Sequence, residues 1–201
     1  FGSVKIPLLY MALVVFMIPI MGNTINSIDV LNGVASGFTT IASFALSICL
    51  FILQNYEIGI VCLCLAFSSL AFYKYHKFPS RIFPGDSGAI TFGAAYGAIA
   101  IIGQVEVIAA VAILPAIINS FLFLSSVKKI VEHREIKNPV THTDDWKLQS
   151  SSEKKAPVTL VRLLIAKKPL SEKQIGMEIF KLAIFSGILA IITAFMMGVS
   201  L

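Results

Sequence analysis

Six apolar segments, each close to the length that crosses a membrane, follow one another along this chain of 201 residues. A helix needs roughly 20 apolar residues to cross about 30 Å of hydrocarbon, and an open sheet would leave backbone groups unpaired there. The segments also lack the alternation of a transmembrane barrel. They cover residues 6–22, 37–54, 57–73, 86–103, 107–127 and 176–199. We therefore predict an all-α, polytopic transmembrane helix bundle with about six spans.

The amino-acid composition supports this fold class. Hydrophobic residues make up 57% of the chain and charged residues only 13%, against about 25% charged residues in a typical soluble domain. We expect residues 1–201 to form a single transmembrane domain. The three cysteines, Cys49, Cys62 and Cys64, all fall inside apolar segments. They are expected to act as small hydrophobic residues rather than as metal ligands or disulfide partners.

Basic residues are concentrated in the connections between the apolar segments. Of the 16 Lys and Arg residues, all but Lys5 and Lys181 lie in two of these connections. The positive-inside rule therefore places the connections 23–36, 74–86 and 128–174 in the cytoplasm, the last as a long loop before the final helix. The net charge of +5 is explained by membrane topology and does not indicate a nucleic-acid partner.

The long loop contains an apolar piece of its own, at residues 157–166. This piece is too short to span a membrane. Arg162 within it favours an amphipathic helix on the membrane surface, whereas its β-branched residues would also suit a short strand. Both structures remain open at this point.

A first polar island, residues 23–33, interrupts the apolar pattern. It contains Asn23, Asn26, Asp29 and Asn32 at a spacing of three, which places the four side chains along one stripe if the segment is helical. Amide and carboxylate oxygens suit Mg²⁺, so one interpretation is a site for a metal ion and a ligand. The other is helix capping at the membrane interface. For four such residues in register we favour the site.

A second polar island, residues 78–88, places Asp86 directly after Gly85 at the start of an apolar segment. A glycine there lets a phosphate approach backbone N–H groups at the positive end of a helix. Arg81 is suited to bind a phosphate and Phe83 to stack on a nucleobase, although a topology-setting charge and an interfacial anchor are simpler explanations of each residue alone. Since topology places both islands on one side, we expect them to face each other and form the active site.

The long loop adds one further candidate group. His133 and Arg134 follow the fifth apolar segment directly, where they can reach a pyrophosphate. The pair Asp144 and Asp145 is expected to be solvated. With only three histidines in the chain, a structural zinc site lacks ligands. No nucleophile elbow supports a hydrolase.

The islands together resemble motifs of the polyprenyl-phosphate N-acetylhexosamine-1-phosphate transferases, enzymes of the glycosyltransferase family 4 type. The segment Asn23-x-x-Asn26-x-x-Asp29-x-x-Asn32-Gly33 resembles the family's N-x-x-N-x-x-D/A-G-x-D/N-G loop, and Phe83-Pro-Gly-Asp86-Ser-Gly88 resembles its F-x-G-D-S/T-G loop. His133-Arg134 is similar to the R-H-R stretch of the archaeal and eukaryotic dolichyl-phosphate GlcNAc-1-phosphate transferases. The resemblance covers the whole chain but only the C-terminal six of the family's ten helices.

The resemblance implies transfer of an N-acetylhexosamine-1-phosphate from a UDP-amino sugar to a polyprenyl or dolichyl phosphate, with release of UMP. It implies Mg²⁺ as cofactor, with Mn²⁺ as the alternative, and a cell-membrane enzyme whose site faces the cytoplasm. It is compatible with a homodimer. The implied site consists of Asn26 and Asp86 as metal ligands, Asp29, Asp86 and His133 as catalytic residues, and Asn23, Asn32, Arg81, Phe83 and Arg134 as substrate-binding residues.

Three departures from the family pattern bear on this assignment. Glu132 stands where R-H-R has its first arginine, and Val30 replaces a glycine of the first motif. The family's acidic D-D-x-x-D loop has no counterpart in residues 1–201, and whether residues ahead of Phe1 supply it stays open. The alternatives are a non-catalytic structural membrane subunit, for which that loop would be truly absent, and a membrane transporter, whose polar residues would lie near the middle of the membrane.

Overall fold

The computed structural model describes residues 7–127, 138–143, 145–153 and 156–199. Over these residues the chain is mostly helical, with one small two-stranded hairpin. The elements are α1 (Pro7–Ile28), α2 (Val34–Ile52), α3 (Tyr56–His76), α4 (Gly85–Ile102), α5 (Glu106–Ala112), α6 (Leu114–Val127), β1 (Val140–His142), β2 (Leu148–Ser150), α7 (Leu160–Leu164) and α8 (Glu172–Val199). The predicted helical membrane bundle is confirmed.

Five of the described helices, α1 to α4 and α8, are long and apolar enough to cross a membrane. Helices α5 and α6 together form a sixth candidate span, but they are bent by 77°. The prediction of one continuous helix over 107–127 is therefore wrong. Pro115 lies in the first turn of α6 and lacks the N–H that would bond back to Val111, so the helical hydrogen-bond ladder is interrupted here.

Helix α2 lies at the centre of the bundle. Its apolar stretch is 72% buried, against 22% to 39% for the other spanning helices. Small buried residues such as Ala35 and Ser43 let α3 and α8 pack closely against it. A Cβ atom at Gly37 would lie only 2.5 Å from the ring of Phe180 in α8. The start of α2, where the first polar island ends, is thereby held between α3 and α8.

Helices α1 and α4 pack against each other along a seam of glycines. A Cβ atom at Gly22 would lie 3.2 Å from the side chain of Ile90, and one at Gly93 would lie 2.8 Å from the Cα of Gly22. Further along, a Cβ atom at Gly97 would lie 3.7 Å from the Cα of Ile18. Later residues of α4 thus meet earlier residues of α1, so the two helices are antiparallel. The end of α1 adjoins the start of α4.

The segment between α6 and α8 contains the hairpin and α7. Strands β1 and β2 pair antiparallel, with Val140 opposite Ser150. Leu148 also exchanges backbone hydrogen bonds of 2.8 and 3.1 Å with Leu170, just before α8. The piece at 157–166, for which helix and strand were both open, contains the short helix α7.

A single guanidinium organises the chain around α7. Arg162 donates hydrogen bonds to four backbone carbonyl oxygens, those of Ser151, Glu153, Ala156 and Pro157. The hydroxyl of Thr159, the N-cap residue of α7, accepts a bond from the Arg162 backbone N–H at 3.2 Å. Because one side chain binds carbonyls on both sides of residues 154–155, it ties the end of the hairpin to α7.

Candidate active site

Asp29 and Asp86 are close enough to influence each other's charge. Asp29 follows the last residue of α1, and its side chain is 12% exposed. Burial raises the pKa of the Asp29 carboxyl to about 6; the backbone N–H of Ala35 opposes this shift, and the negative charge of Asp86 adds to it. Asp86 lies exposed in the first turn of α4. The structure therefore brings one carboxylate from each polar island into the same junction.

Asn26 and Asp86, the two predicted metal ligands, lie at the same end of the α1–α4 seam. Gly22 and Ile90 face each other across that seam. Asn26 follows Gly22 by one helical turn and Asp86 precedes Ile90 by one turn, so antiparallel packing places the two side chains at one level. Among the residues that the structure describes, neither side chain has a hydrogen bond or an ion pair. Both are available to a ligand.

The donor set at this junction suits a hard divalent cation. Asp29 and Asp86 provide carboxylates and Asn26 an amide oxygen, the ligand types that Mg²⁺ takes together with several waters. Within the described parts of the chain no three His, Cys, Asp or Glu side chains are arranged so that they alone could hold a metal ion. A cation here would therefore also need amide and water oxygens. The two carboxylates repel each other when both are ionised, and a cation bound between them would relieve this repulsion.

His76 belongs to this junction, although the sequence analysis did not select it. The ring is fully buried at the end of α3, with edge contacts to Phe72 at 5.7 Å and Phe83 at 5.9 Å between ring centres. Its Nδ1 lies 3.0 Å from the Ser36 hydroxyl, and its Nε2 lies 3.8 Å from Asp29 Oδ1. The sequence offers no clear signal for this role, because His76 follows two other polar residues at the end of an apolar segment.

Phe83 and Arg81, both from the second polar island, have exposed side chains. The Phe83 ring is 70% exposed, and its edge contact with His76 leaves most of its surface open. Arg81 donates its backbone N–H to the Tyr75 carbonyl at 2.8 Å, whereas its guanidinium has no partner in the described part of the chain. The predicted roles of Phe83 in stacking a base and of Arg81 in binding a phosphate remain predictions.

Asn32 and Gly33 form a tight turn after Asp29. The Asn32 backbone N–H donates to Glu172 Oε1 at 2.7 Å, while its side-chain oxygen is buried without a hydrogen-bond partner among the described residues. Gly33 has φ +83, and a Cβ atom there would lie 3.0 Å from Lys77 Cα. The turn therefore requires glycine, and it leaves one amide oxygen of Asn32 for a ligand to satisfy.

The remaining predicted residues lie differently. Helix α1 ends at Ile28, so Asn23 and Asn26 are helical whereas Asp29 and Asn32 belong to the following turn, and the predicted stripe is not one continuous helix face. Asn23 is exposed and donates its side-chain amide back to the Pro19 carbonyl at 2.9 Å. His133 and Arg134 lie outside the described residues.

A cavity of about 680 Å³ adjoins the turn that carries Asp29. Its wall includes Ser27 and Leu31 beside that turn, Asn119 of α6, His142 of the hairpin, Thr159 before α7 and Glu172 of α8. The cavity therefore lies between the first polar island and the loop at 128–174. No sequence pattern marks Asn119 or Glu172, since single polar residues in such segments have many structural explanations.

Comparison with known proteins gives consistent matches. A family model described as "Glycosyl transferase family 4" matches residues 1–104. A protein of Methanocaldococcus jannaschii named "Putative glycosyltransferase MJ1113" is 28% identical over 193 residues, which cover 96% of this chain and 62% of that protein.

Two bacterial enzymes each match about half of the chain. The phospho-N-acetylmuramoyl-pentapeptide-transferase of Clostridium acetobutylicum is 36% identical over 96 residues, covering 48% of this chain and 30% of that enzyme. The enzyme of the same name from Staphylococcus aureus is 34% identical over 103 residues, covering 50% of this chain and 32% of the enzyme. The chain thus corresponds to only part of the length of these relatives.

Proposed function

The chain belongs to glycosyl transferase family 4, and on that premise we propose that the protein transfers an N-acetylhexosamine-1-phosphate from a UDP-sugar to a polyprenyl phosphate. The observation that most supports this function is the junction of α1 and α4, where Asp29 and Asp86 interact beside Asn26, whose side chain has no partner among the described residues. Phosphoryl transfer depends mainly on positioning and on charge stabilisation, which such a group provides. A transporter would place its polar residues near the middle of the spans, and these lie at helix ends.

In the proposed reaction a phosphate oxygen of the lipid attacks the β-phosphorus of the UDP-sugar. A bond forms between that oxygen and the phosphorus, and the bond to the oxygen that bridges the α- and β-phosphates breaks. UMP leaves with the bridging oxygen, and the lipid retains the pyrophosphoryl sugar. Because the second pKa of a phosphate monoester is about 6, the lipid phosphate is largely dianionic at pH 7 and needs no general base.

The residues of the junction have distinct proposed roles. Asn26 and Asp86 would hold Mg²⁺, which when bound stabilises the charge that develops on the transferred phosphate. Asp29 places a second carboxylate beside Asp86. Phe83 stacks on the uracil and Arg81 binds a phosphate of the donor. His133 and Arg134 are proposed to bind the pyrophosphate.

The neighbouring cavity is the proposed entry site of the donor. Its volume of about 680 Å³ is within the range of about 300–1,000 Å³ that is usual for small-molecule pockets. We propose an integral membrane enzyme with its site on the cytoplasmic face and a dolichyl-type acceptor. The alignment supports the archaeal and eukaryotic branch, since the archaeal relative matches 96% of the chain and the clostridial enzyme 48%.

Magnesium-dependent release of UMP from UDP-N-acetylglucosamine tests this function. The protein is produced in membranes from its complete reading frame and supplied with polyprenyl phosphate. Asp86→Asn should lower UMP release at least about 100-fold, because it removes a charged ligand of the cation. Glu57→Gln is the matched control, since Glu57 is the exposed carboxylate in the first turn of α3. A wild-type protein that releases no UMP, or an Asp86→Asn protein with full activity, would refute the proposal.

A further inference from the structure

Asn119 occupies a junction between three parts of the molecule. It lies in α6, which diverges from α5 by 77° and contacts α1, α7 and α8. Its side chain is almost completely buried, with 4% exposure. A primary amide in such a place is costly unless both its donor and its acceptor are satisfied. The partners of this amide therefore indicate why it is there.

Both ends of the Asn119 side chain bind backbone groups at helix ends. Its Nδ2 donates to the Ser27 carbonyl at 2.9 Å, in the last turn of α1. Its Oδ1 accepts from the Leu160 N–H at 2.8 Å, at the first residue of α7. The last carbonyls and the first N–H groups of a helix have no partner within that helix. One amide thus satisfies the end of α1 and the start of α7 together.

This bridge joins two parts of the cavity wall that come from different segments of the chain. Ser27, Asn119, Thr159 and Val161 all line the cavity. Ser27 lies directly after Asn26 in α1, whereas Thr159 and Val161 flank Leu160. Asn119 therefore links α1 directly to α7. The α1–α4 seam, which places Asn26 opposite Asp86, has its own glycine contacts and does not involve Asn119.

We propose that Asn119 is a positioning residue that sets the width of the donor cavity by holding α7 against the end of α1. This inference rests on the proposed function. Loss of the bridge lets α7 move away, which weakens binding of the nucleotide-sugar while the proposed metal ligands stay in place. The effect is on donor affinity, and the chemical step with bound donor changes little.

The first test replaces Asn119 itself. Asn119→Asp keeps the acceptor for Leu160 but turns an oxygen toward the Ser27 carbonyl, and Asn119→Leu removes both bonds. We expect the KM for UDP-N-acetylglucosamine to rise about tenfold in each of the two variants. A tenfold change corresponds to the net free energy of about one to two hydrogen bonds. We expect kcat and the Mg²⁺ concentration for half-maximal activity to remain within about twofold of wild type.

Asn55 provides the matched control. Its side-chain amide also donates to a backbone carbonyl, that of Gly103 at 3.4 Å, but in the short connection at the other end of the helices. Asn55→Leu should leave the KM for the donor unchanged. If Asn119 had only a structural role, Asn119→Leu and Asn55→Leu would give the same result. Both would yield less folded protein, and the KM for the donor would be that of wild type.

A second pair of variants approaches the bridge from α7. Leu160→Pro removes the N–H that donates a hydrogen bond to Asn119 Oδ1, and proline is tolerated at the first position of a helix. Thr159 before it is already extended, at φ −125 and ψ 161, as a residue before proline must be. Leu160→Ala removes much of the side chain but keeps the N–H. The KM for the donor should therefore rise further in Leu160→Pro than in Leu160→Ala.

The outcomes separate this inference from the function on which it rests. Wild-type protein without UMP release refutes the proposed function and the inference together. Active wild-type protein whose Asn119 variants keep the wild-type KM refutes the inference alone. Should Asn119→Leu fail to fold, Asn119→Asp and the Leu160 pair give the same comparison, and equal KM values in Leu160→Pro and Leu160→Ala would equally overturn it.

Discussion

Asp29 Oδ1 and His76 Nε2 lie 3.8 Å apart, which places the two side chains next to each other but is too far for a hydrogen bond. The His76 ring is held in place by the Ser36 hydroxyl and by two phenylalanine rings, and its Nε2 has no hydrogen-bond partner among the described residues. A shift of about 1 Å would bring the two atoms into a direct bond, and such bonds often tighten when substrate binds. His76 is therefore placed to orient the Asp29 carboxylate.

Replacing His76 with phenylalanine should lower kcat more than it lowers stability. His76→Phe keeps the ring contacts with Phe72 and Phe83 but removes the nitrogen that faces Asp29. We expect kcat for UMP release to fall about 10- to 100-fold, as is usual when a residue that orients a reactive group is lost. Tyr75→Phe, an exposed neighbour, is the control and should keep wild-type kcat. Wild-type turnover in His76→Phe would exclude an orienting role.

The raised pKa of Asp29, about 6 against an ordinary value of about 4, makes the metal-free protein less stable as pH rises. Below about pH 4 the Asp29 carboxyl is protonated in both the folded and the unfolded protein. Between about pH 4 and 6 the unfolded chain loses its proton more readily than the folded one, so stability falls, by at most about 3 kcal/mol. Thermal unfolding in EDTA from pH 4.5 to 7.5 should show this loss in wild type and a smaller loss in Asp29→Asn.

Magnesium should counteract this effect at pH 7. A cation that binds the ionised carboxylates of the folded state alone stabilises that state, and the stabilisation increases with the logarithm of the free cation concentration once this exceeds the Kd. The unfolding temperature of wild type should rise with added Mg²⁺, and the rise should be smaller in Asp29→Asn and Asp86→Asn. Equal rises in wild type and in both variants would place the cation elsewhere.

The α1–α4 seam should not tolerate a methyl group at Gly93. A Cβ atom there would overlap the Met21 carbonyl oxygen, so Gly93→Ala must push α1 and α4 apart. Gly176 in α8 is the control, because the nearest atom to a Cβ there is 4.0 Å away. Thermal unfolding in detergent should show a marked loss for Gly93→Ala, whereas Gly176→Ala should be neutral or stabilising by up to about 1 kcal/mol. An equal effect at both positions would contradict the close approach in the seam.

Arg162→Lys should loosen the segment before α7. Lysine has a single ammonium and cannot reproduce the planar set of bonds to four carbonyl oxygens. Limited proteolysis should cleave residues 145–157 several-fold faster in Arg162→Lys than in wild type. Lys168→Arg is the control, because Lys168 is exposed and has no described partner. Unchanged cleavage in Arg162→Lys would mean that other contacts hold this segment.

The helical membrane bundle was predictable from hydropathy, but its irregularities were not. Apolar segments of about 20 residues allow few structures in hydrocarbon, so five spanning helices appear close to their predicted places. The bend before Pro115 was missed because proline is tolerated within many membrane helices, and packing against neighbours decides whether the helix bends. The hairpin at 140–150 was missed because its two strands have only three residues each.

The sequence by itself determined which residue types could form a site. Asparagine and aspartate at the ends of apolar segments are costly unless they have a use, and the two islands contained the predicted metal ligands Asn26 and Asp86 together with Asp29, but not His76. Their spacing along the chain does not show which of them meet.

Only the tertiary structure decided the partnerships. Asp29 meets His76 and Asp86, and Asn119 bridges Ser27 and Leu160, because glycine contacts and a bent helix bring distant segments together. Hydropathy depends on each residue's own transfer energy, so it can be summed along a sequence. Contacts depend on the shapes of surfaces far apart in the chain, and these exist only once the helices have packed.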